Sequence, residues 1–156
     1  MIGYSEDLQF DMIQPRLKFS NHEQLLQYCA REVADKIDKP AELILEGLHE
    51  KRRMERACMG DGLAIFDLKI LGMRKPFIML ATLANELDFA APDGLPLDMV
   101  CLVFSPQREG PFHLRRLSRI SRLLKNDDLR QKIITVESES TIRSLLIDPE
   151  GWTLAA

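Results

Sequence analysis

Three apolar runs lie close together in the middle of the chain, at Leu63–Ile70, 76–83 and 97–104. The second contains Phe77-Ile78-Met79-Leu80-Ala81 before Thr82, and the third contains Met99-Val100-Cys101-Leu102-Val103. A strand with one wet face alternates apolar and polar residues, so runs this continuous mark central strands covered on both faces. The chain must therefore supply a layer on each side of a sheet. Amphipathic segments before and after the runs can do so, which predicts an α/β fold of three layers, a mixed central sheet with helices on both faces.

Upstream, Leu17 and Phe19 alternate with Arg16 and Lys18, the period of a short strand over 15–19. Ser20 and Asn21 offer an N-cap, with Glu23 placed to close a capping box from Ser20. The helix that follows sets Leu25, Leu26, Cys29, Val33 and Ile37 on one face. Pro40 suits the first turn of a second helix, which runs to about Arg53 with Leu43, Ile44, Leu48 and Met54 facing inward. Its basic end (Lys51, Arg52, Arg53 and Arg56) complements the negative end of the helix dipole. Asp93-Gly94 marks a turn between the second and third runs. Downstream, a helix from near Phe112 presents Leu114, Leu117, Ile120 and Leu124 to the core. Short helices over 126–133 and 138–147 follow, the second opened by serine capping. The expected order is strand, two helices, three strands, then helices. It forms one domain over 1–156 with a core of about 14–147, an unpatterned leader over 1–13, and a tail loose apart from Trp152.

The balance of charge narrows the function. A net charge of −3 and a pI of about 5.7 argue against general nucleic-acid binding, which draws on a strong positive field. No apolar run approaches the roughly 20 residues that span a bilayer, so no membrane span is expected. The amino terminus lacks the basic and apolar regions of a signal peptide, so a cytoplasmic location is expected. Cys29, Cys58 and Cys101 are an odd number at wide spacing and match no zinc pattern, which reads as reduced thiols. Cys29 and Cys101 lie within apolar patterns and are expected in the core. No cofactor or metal is expected. Gly60-Asp61-Gly62 lacks the spacing and the Lys-Ser/Thr of a P-loop, and Asp61 and Asp67 have no third acid near them in sequence to hold Mg²⁺.

A carboxylate interrupts the first apolar run. Asp67 follows Gly60-Asp61-Gly62-Leu63-Ala64-Ile65-Phe66, and a carboxylate set into an apolar strand is costly unless something pairs with it. Of the three histidines, His22 and His49 fall on helices with no evident role. His113 follows Gly110-Pro111 at the start of a helix, where it can hydrogen-bond an anion. Arg115, Arg119 and Arg122 form a stripe at i, i+4 and i+7, widened by Arg116 and Lys125. A solvated face is the first reading of that stripe and a docking surface for an acidic partner the second.

Several stretches together resemble a known family. They are Gly60-Asp61-Gly62-Leu63-Ala64-Ile65, Leu87-Asp88-Phe89, Pro92-Asp93-Gly94-Leu95-Pro96-Leu97-Asp98, Leu102-Val103-Phe104-Ser105-Pro106, and His113-Leu114 leading the Leu117/Ile120/Leu124 helix. Their order and spacing over about 17–146 resemble the enzyme IIA domains of the fructose–mannitol class of the bacterial phosphotransferase system, including its nitrogen-related regulatory members. That family phosphorylates a histidine following Ala-Ile-Pro, flanked by a second histidine and by an arginine from the preceding helix. The resemblance places Asp67 at the phosphorylated position, Phe66 at the proline and Leu68 at a glycine that often follows. It places Lys51 at the arginine and His113 at the second histidine. It implies a cytoplasmic regulatory protein that has lost its phosphoryl acceptor, with a fixed charge where a phosphohistidine would carry up to about two. The partner implied is the histidine-containing phosphocarrier protein or a regulated target protein. The alternative is an active relay with Asp67 or His113 as acceptor.

Overall fold

The computed structural model describes residues 8–54 and 57–147. Its elements in chain order are β1 (Met12–Leu17), α1 (His22–Ile37), α2 (Ala41–Arg53), β2 (Cys58–Gly60), β3 (Leu63–Ile70), β4 (Phe77–Leu87), β5 (Leu97–Pro106), α3 (Pro111–Leu124), α4 (Asp127–Ile134) and α5 (Glu139–Ile147). The five strands form one sheet in the order β1-β4-β5-β3-β2. β1 runs parallel to β4 and β3 parallel to β5, while β4–β5 and β2–β3 are antiparallel.

The central runs are covered on both sides, as their composition requires. On one face Ala64, Phe66, Met79, Ala81, Val100 and Leu102 pack with Leu25, Leu26 and Cys29 of α1 and Ile44 and Leu48 of α2. On the other, Leu63, Ile65, Ile78, Leu80, Met99, Cys101 and Val103 pack with Ile120 of α3, Ile133 of α4 and Ile142 of α5. Successive β5 residues thus feed opposite layers, and each is fully buried from Met99 to Phe104. Burying one such aliphatic side chain contributes about 1.5–3 kcal/mol relative to leaving it exposed. The strand that pairs with both β4 and β3 is therefore the most costly place to set a polar group.

The structure departs from the sequence reading at several points. β1 begins at Met12, earlier than the Leu17/Phe19 alternation suggests, because Met12, Ile13 and Gln14 pair with Met79, Leu80 and Ala81. A register shift follows between Gln14 and Leu17, where Arg16 sits at φ 55°. Leu8 and Phe10, read as part of an unpatterned leader, are buried in the second face. Asn21, not Ser20, caps α1: its side chain accepts from Gln24 N at 2.9 Å, and Gln24 Oε1 accepts from Ser20 N. Glu23 pairs instead with His49. Pro40 is the N-cap of α2, one residue outside its first turn. Leu43, Met54 and Leu114, read as inward-facing, are exposed. The serine cap of α5 is present, Ser138 Oγ accepting from Thr141 N. Trp152, Arg56 and the first seven residues lie outside the described residues.

One further strand, β2, forms a hairpin with β3 through Gly60-Asp61-Gly62, whose φ angles are 92°, 55° and 87°. Gly62 is required twice over, since a Cβ there would also meet Asp98 Oδ1 at 2.9 Å.

Candidate functional site

Asp67 lies opposite Val103 of β5 in the parallel register and follows Ile65 and Leu63 on the sheet face covered by α3 to α5. The short β2 pairs only with Leu63 and Ala64, besides a bond from Ile65 N to Ala57 O, so Asp67 stands further along the same strand. The chain re-enters at the end of β5, turns at Gly110, and starts α3 with Pro111 at its first position. That start brings His113 against β3. From the opposite layer, the last turn of α2 brings Lys51.

These three residues, separated by up to 62 positions, meet at one carboxylate. His113 Nε2 lies 3.0 Å from Asp67 Oδ2, and Lys51 Nζ lies 3.6 Å from Oδ1. The His113 side chain is 3% exposed, while those of Asp67 and Lys51 are each 26% exposed. The site thus has a buried donor on one side of the carboxylate and a partly solvated cation on the other. A polar group in this setting keeps its place only if hydrogen-bonded.

Behind His113 lies a second set of contacts. His113 Nδ1 is 2.7 Å from Ser105 Oγ, which accepts from Arg116 Nη1 at 2.8 Å. Arg116 is held by Glu109 at 2.6 and 2.8 Å in a two-pronged pair. With one lone pair of Ser105 given to Arg116, its hydroxyl hydrogen is free to donate to Nδ1. His113 then carries its proton on Nε2, facing Asp67, and every partner in the chain Glu109–Arg116–Ser105–His113–Asp67 is satisfied.

Ser105, Arg116 and Glu109 were not singled out from the sequence. Arg116, which the sequence spacing adds to the surface arginine stripe, points inward and is 9% exposed. Its spacing of three from His113 puts both on one face of α3, and a serine closing an apolar strand run was the available hint. His22 and His49, read as having no role, make structural contacts: His49 Nε2 bonds Glu23 at 2.9 Å across α1 and α2, and His22 meets the edge of the Phe89 ring. Cys29 and Cys101 are buried, which pushes both thiols above their ordinary range, Cys29 to about 12. Asp61 stands in the β2–β3 turn, where its N–H donates to Asp93. No group of three or more His, Cys, Asp or Glu suited to a metal ion occurs among the described residues. No described helix is long and apolar enough to cross a membrane.

A five-stranded mixed sheet with a His–Asp–Lys cluster at the β3/α3 junction is the setting in which comparisons with other proteins become specific. Residues 8–148 match the family model for the EIIA 2 domain of the phosphoenolpyruvate-dependent sugar phosphotransferase system, and the chain belongs to that family. Within it, the chain is similar to a nitrogen regulatory protein of Bradyrhizobium diazoefficiens, 32% identical over 139 residues that cover 89% of this chain and 91% of the relative. It is also similar to a fructose-specific EIIA component of Haloferax volcanii, 31% identical over 104 residues that cover 67% of this chain and 68% of the relative. The fold matches the crystal structure of nitrogen regulatory protein IIA-Ntr from Neisseria meningitidis, with a TM-score of 0.82 at 20% identity over 91% of this chain and 97% of that one. It also matches the mannitol enzyme IIA of Escherichia coli, solved in complex with phosphorylated enzyme IIB, with a TM-score of 0.70 at 11% identity over 89% and 96%.

Proposed function

We propose that this protein is a cytoplasmic regulatory IIA component that does not relay a phosphoryl group and acts by protein–protein contact, with its site held in one charge state by Asp67. The observation that carries this reading is the carboxylate of Asp67 bound by His113 and Lys51, at the position where the family resemblance puts a phosphorylated histidine. An imidazole can hold a phosphoryl group as a phosphoramidate. A carboxylate attacking the same donor would bring a second negative charge to the transfer step. Here its two oxygens are already engaged by a ring N–H and an ammonium, which match a standing anion.

His113 is a poor substitute acceptor, because it is nearly buried and both ring nitrogens are engaged. The surface beside it suits a protein partner. Phe112 and Leu114 flank His113 in the first turn of α3 and are 57% and 69% exposed, with Arg115 over the Phe112 ring. Apolar groups rimmed by charge are a usual feature of docking faces. The partner is the histidine-containing phosphocarrier protein or a regulated target protein.

The test is a gain of function. Labelled phosphoenolpyruvate and the general phosphotransferase proteins are supplied to the full chain and to Asp67→His. The variant is expected to take up label at residue 67 while the parent takes up none. Label on Asp67 or His113 of the parent would establish the rival reading, an active relay.

A further inference from the structure

Away from the Asp67 cluster, a cavity of about 240 Å³ opens between the carboxyl end of α1 and the loop that joins β3 to β4. Its walls carry Lys36, Arg74 and Lys75, and its apolar lining includes Ile37, Met73 and Phe77. Asp35 and Asp38 are close in sequence, yet no acid among the described residues lines the cavity.

A fourth cation, Lys39, lies against Gly72 of the lining. Gly72, at φ 89°, has no side chain to keep Lys39 away: a Cβ there would meet Lys39 Nζ at 2.6 Å. Lys39 is half-buried, and a partly desolvated ammonium without a counter-charge is unfavourable. None of Lys36, Lys39 and Arg74 forms a side-chain ion pair or hydrogen bond with a described residue. The charge of Lys75 acts on Asp11, outside the cavity. In a chain of net charge −3, three cations on the walls of one amphipathic hollow, with Lys39 against its Gly72, are a local reversal of sign. Such a hollow concentrates anions.

We propose that this cavity binds a small organic anion, with a phosphate or carboxylate head between Lys36 and Arg74 and a compact apolar body on Ile37, Met73 and Phe77. Arg74 offers a planar fork for two oxygens of such a head, and the lysines add point charge. The volume falls below the roughly 300–1,000 Å³ of sites for drug-sized ligands, which sets the scale of the body at a single ring or short chain. The cavity shares no residue with the Asp67 cluster, and the two are joined only along the chain. β3, which carries Asp67, ends at Ile70 just before the loop, and α2, which carries Lys51, begins just after Lys39.

The test is amide-resolved NMR titration of the full chain with phenyl phosphate, benzoate, inorganic phosphate and phenol as separate probes. Saturable shifts confined to 36–39 and 72–77 are expected with phenyl phosphate or benzoate, whichever head the site prefers. Phenol, which lacks the charge, and inorganic phosphate, which lacks the body, should each bind at least about tenfold more weakly. The double variant Lys36→Ala/Arg74→Ala alters exposed side chains, and its urea midpoint serves as the check that it folds. It should lose affinity by about tenfold or more. Three results would overturn the proposal: no saturable shift with either aromatic anion, inorganic phosphate binding as tightly as phenyl phosphate, or unchanged affinity in the folded double variant.

Discussion

Removal of the Asp67 carboxylate should destabilise the protein through two groups of unequal weight. His113 is 3% exposed and would lose the acceptor 3.0 Å from Nε2. A buried donor left without a partner costs about 1–3 kcal/mol. Lys51 lies at 3.6 Å and its side chain is 26% exposed, so the loss of its partner costs about 0.2–1 kcal/mol. Release of a mostly buried carboxylate offsets part of this sum, leaving about 1–3 kcal/mol for Asp67→Ala. Asp67→Asn keeps an oxygen that can accept from Nε2–H and should cost less than half as much, while Lys51→Ala should cost less than about 1 kcal/mol. Urea unfolding of the full chain resolves these differences as shifts of midpoint at constant slope. A parent and an Asp67→Ala variant of equal stability, with equal slopes, would refute the claim that this carboxylate holds His113 and Lys51 together.

Two further outcomes follow from the neighbouring side chains. Ser105→Ala removes a shared partner of His113 and Arg116 and should cost about 1–3 kcal/mol in the same assay; nitrogen NMR of the imidazole should still show the Nε2-protonated tautomer, because Asp67 continues to accept from Nε2–H. Asp98 has Oδ1 buried without a hydrogen-bond partner among the described residues, and burial raises its pKa above the ordinary carboxylate range. An acid with a raised folded pKa favours the fold most below its unfolded pKa and loses that contribution as pH rises through the folded value. Asp98→Asn, which never ionises, should therefore be more stable than the parent at neutral pH, with the gap closing in acid; a gap that is constant with pH would contradict the assignment.

The parts of this molecule that were legible in the sequence are those fixed by continuous apolar surface. β3 and the core of β5 announce themselves because a strand covered on both faces can carry almost no polar residue, and Asp67 is conspicuous for the same reason. The trio Asp67, His113 and Lys51 was reached through family resemblance, since no periodicity links residues on a strand and on helices of opposite layers. β2 escaped notice because three residues cannot show a period. Arg116 was misplaced because a guanidinium is read as solvated until a buried serine and a glutamate are seen to receive it. An inward reading of Leu43, Met54 and Leu114 rests on apolarity alone, and a globular surface retains many such residues. Leu8 and Phe10 made the opposite error: two apolar residues in a mixed segment fill the second face of the sheet, which only the tertiary fold reveals.

The claim that Asp67 locks the site is tested most directly by the intact mass of the unmodified full chain after incubation with phosphoenolpyruvate and the complete general phosphotransferase proteins. A native phosphoryl-accepting relative in the same mixture serves as the positive control. The account predicts that the relative gains a phosphate and that this chain keeps its original mass. A phosphate adduct on this chain, mapped to Asp67 or to His113, would contradict it.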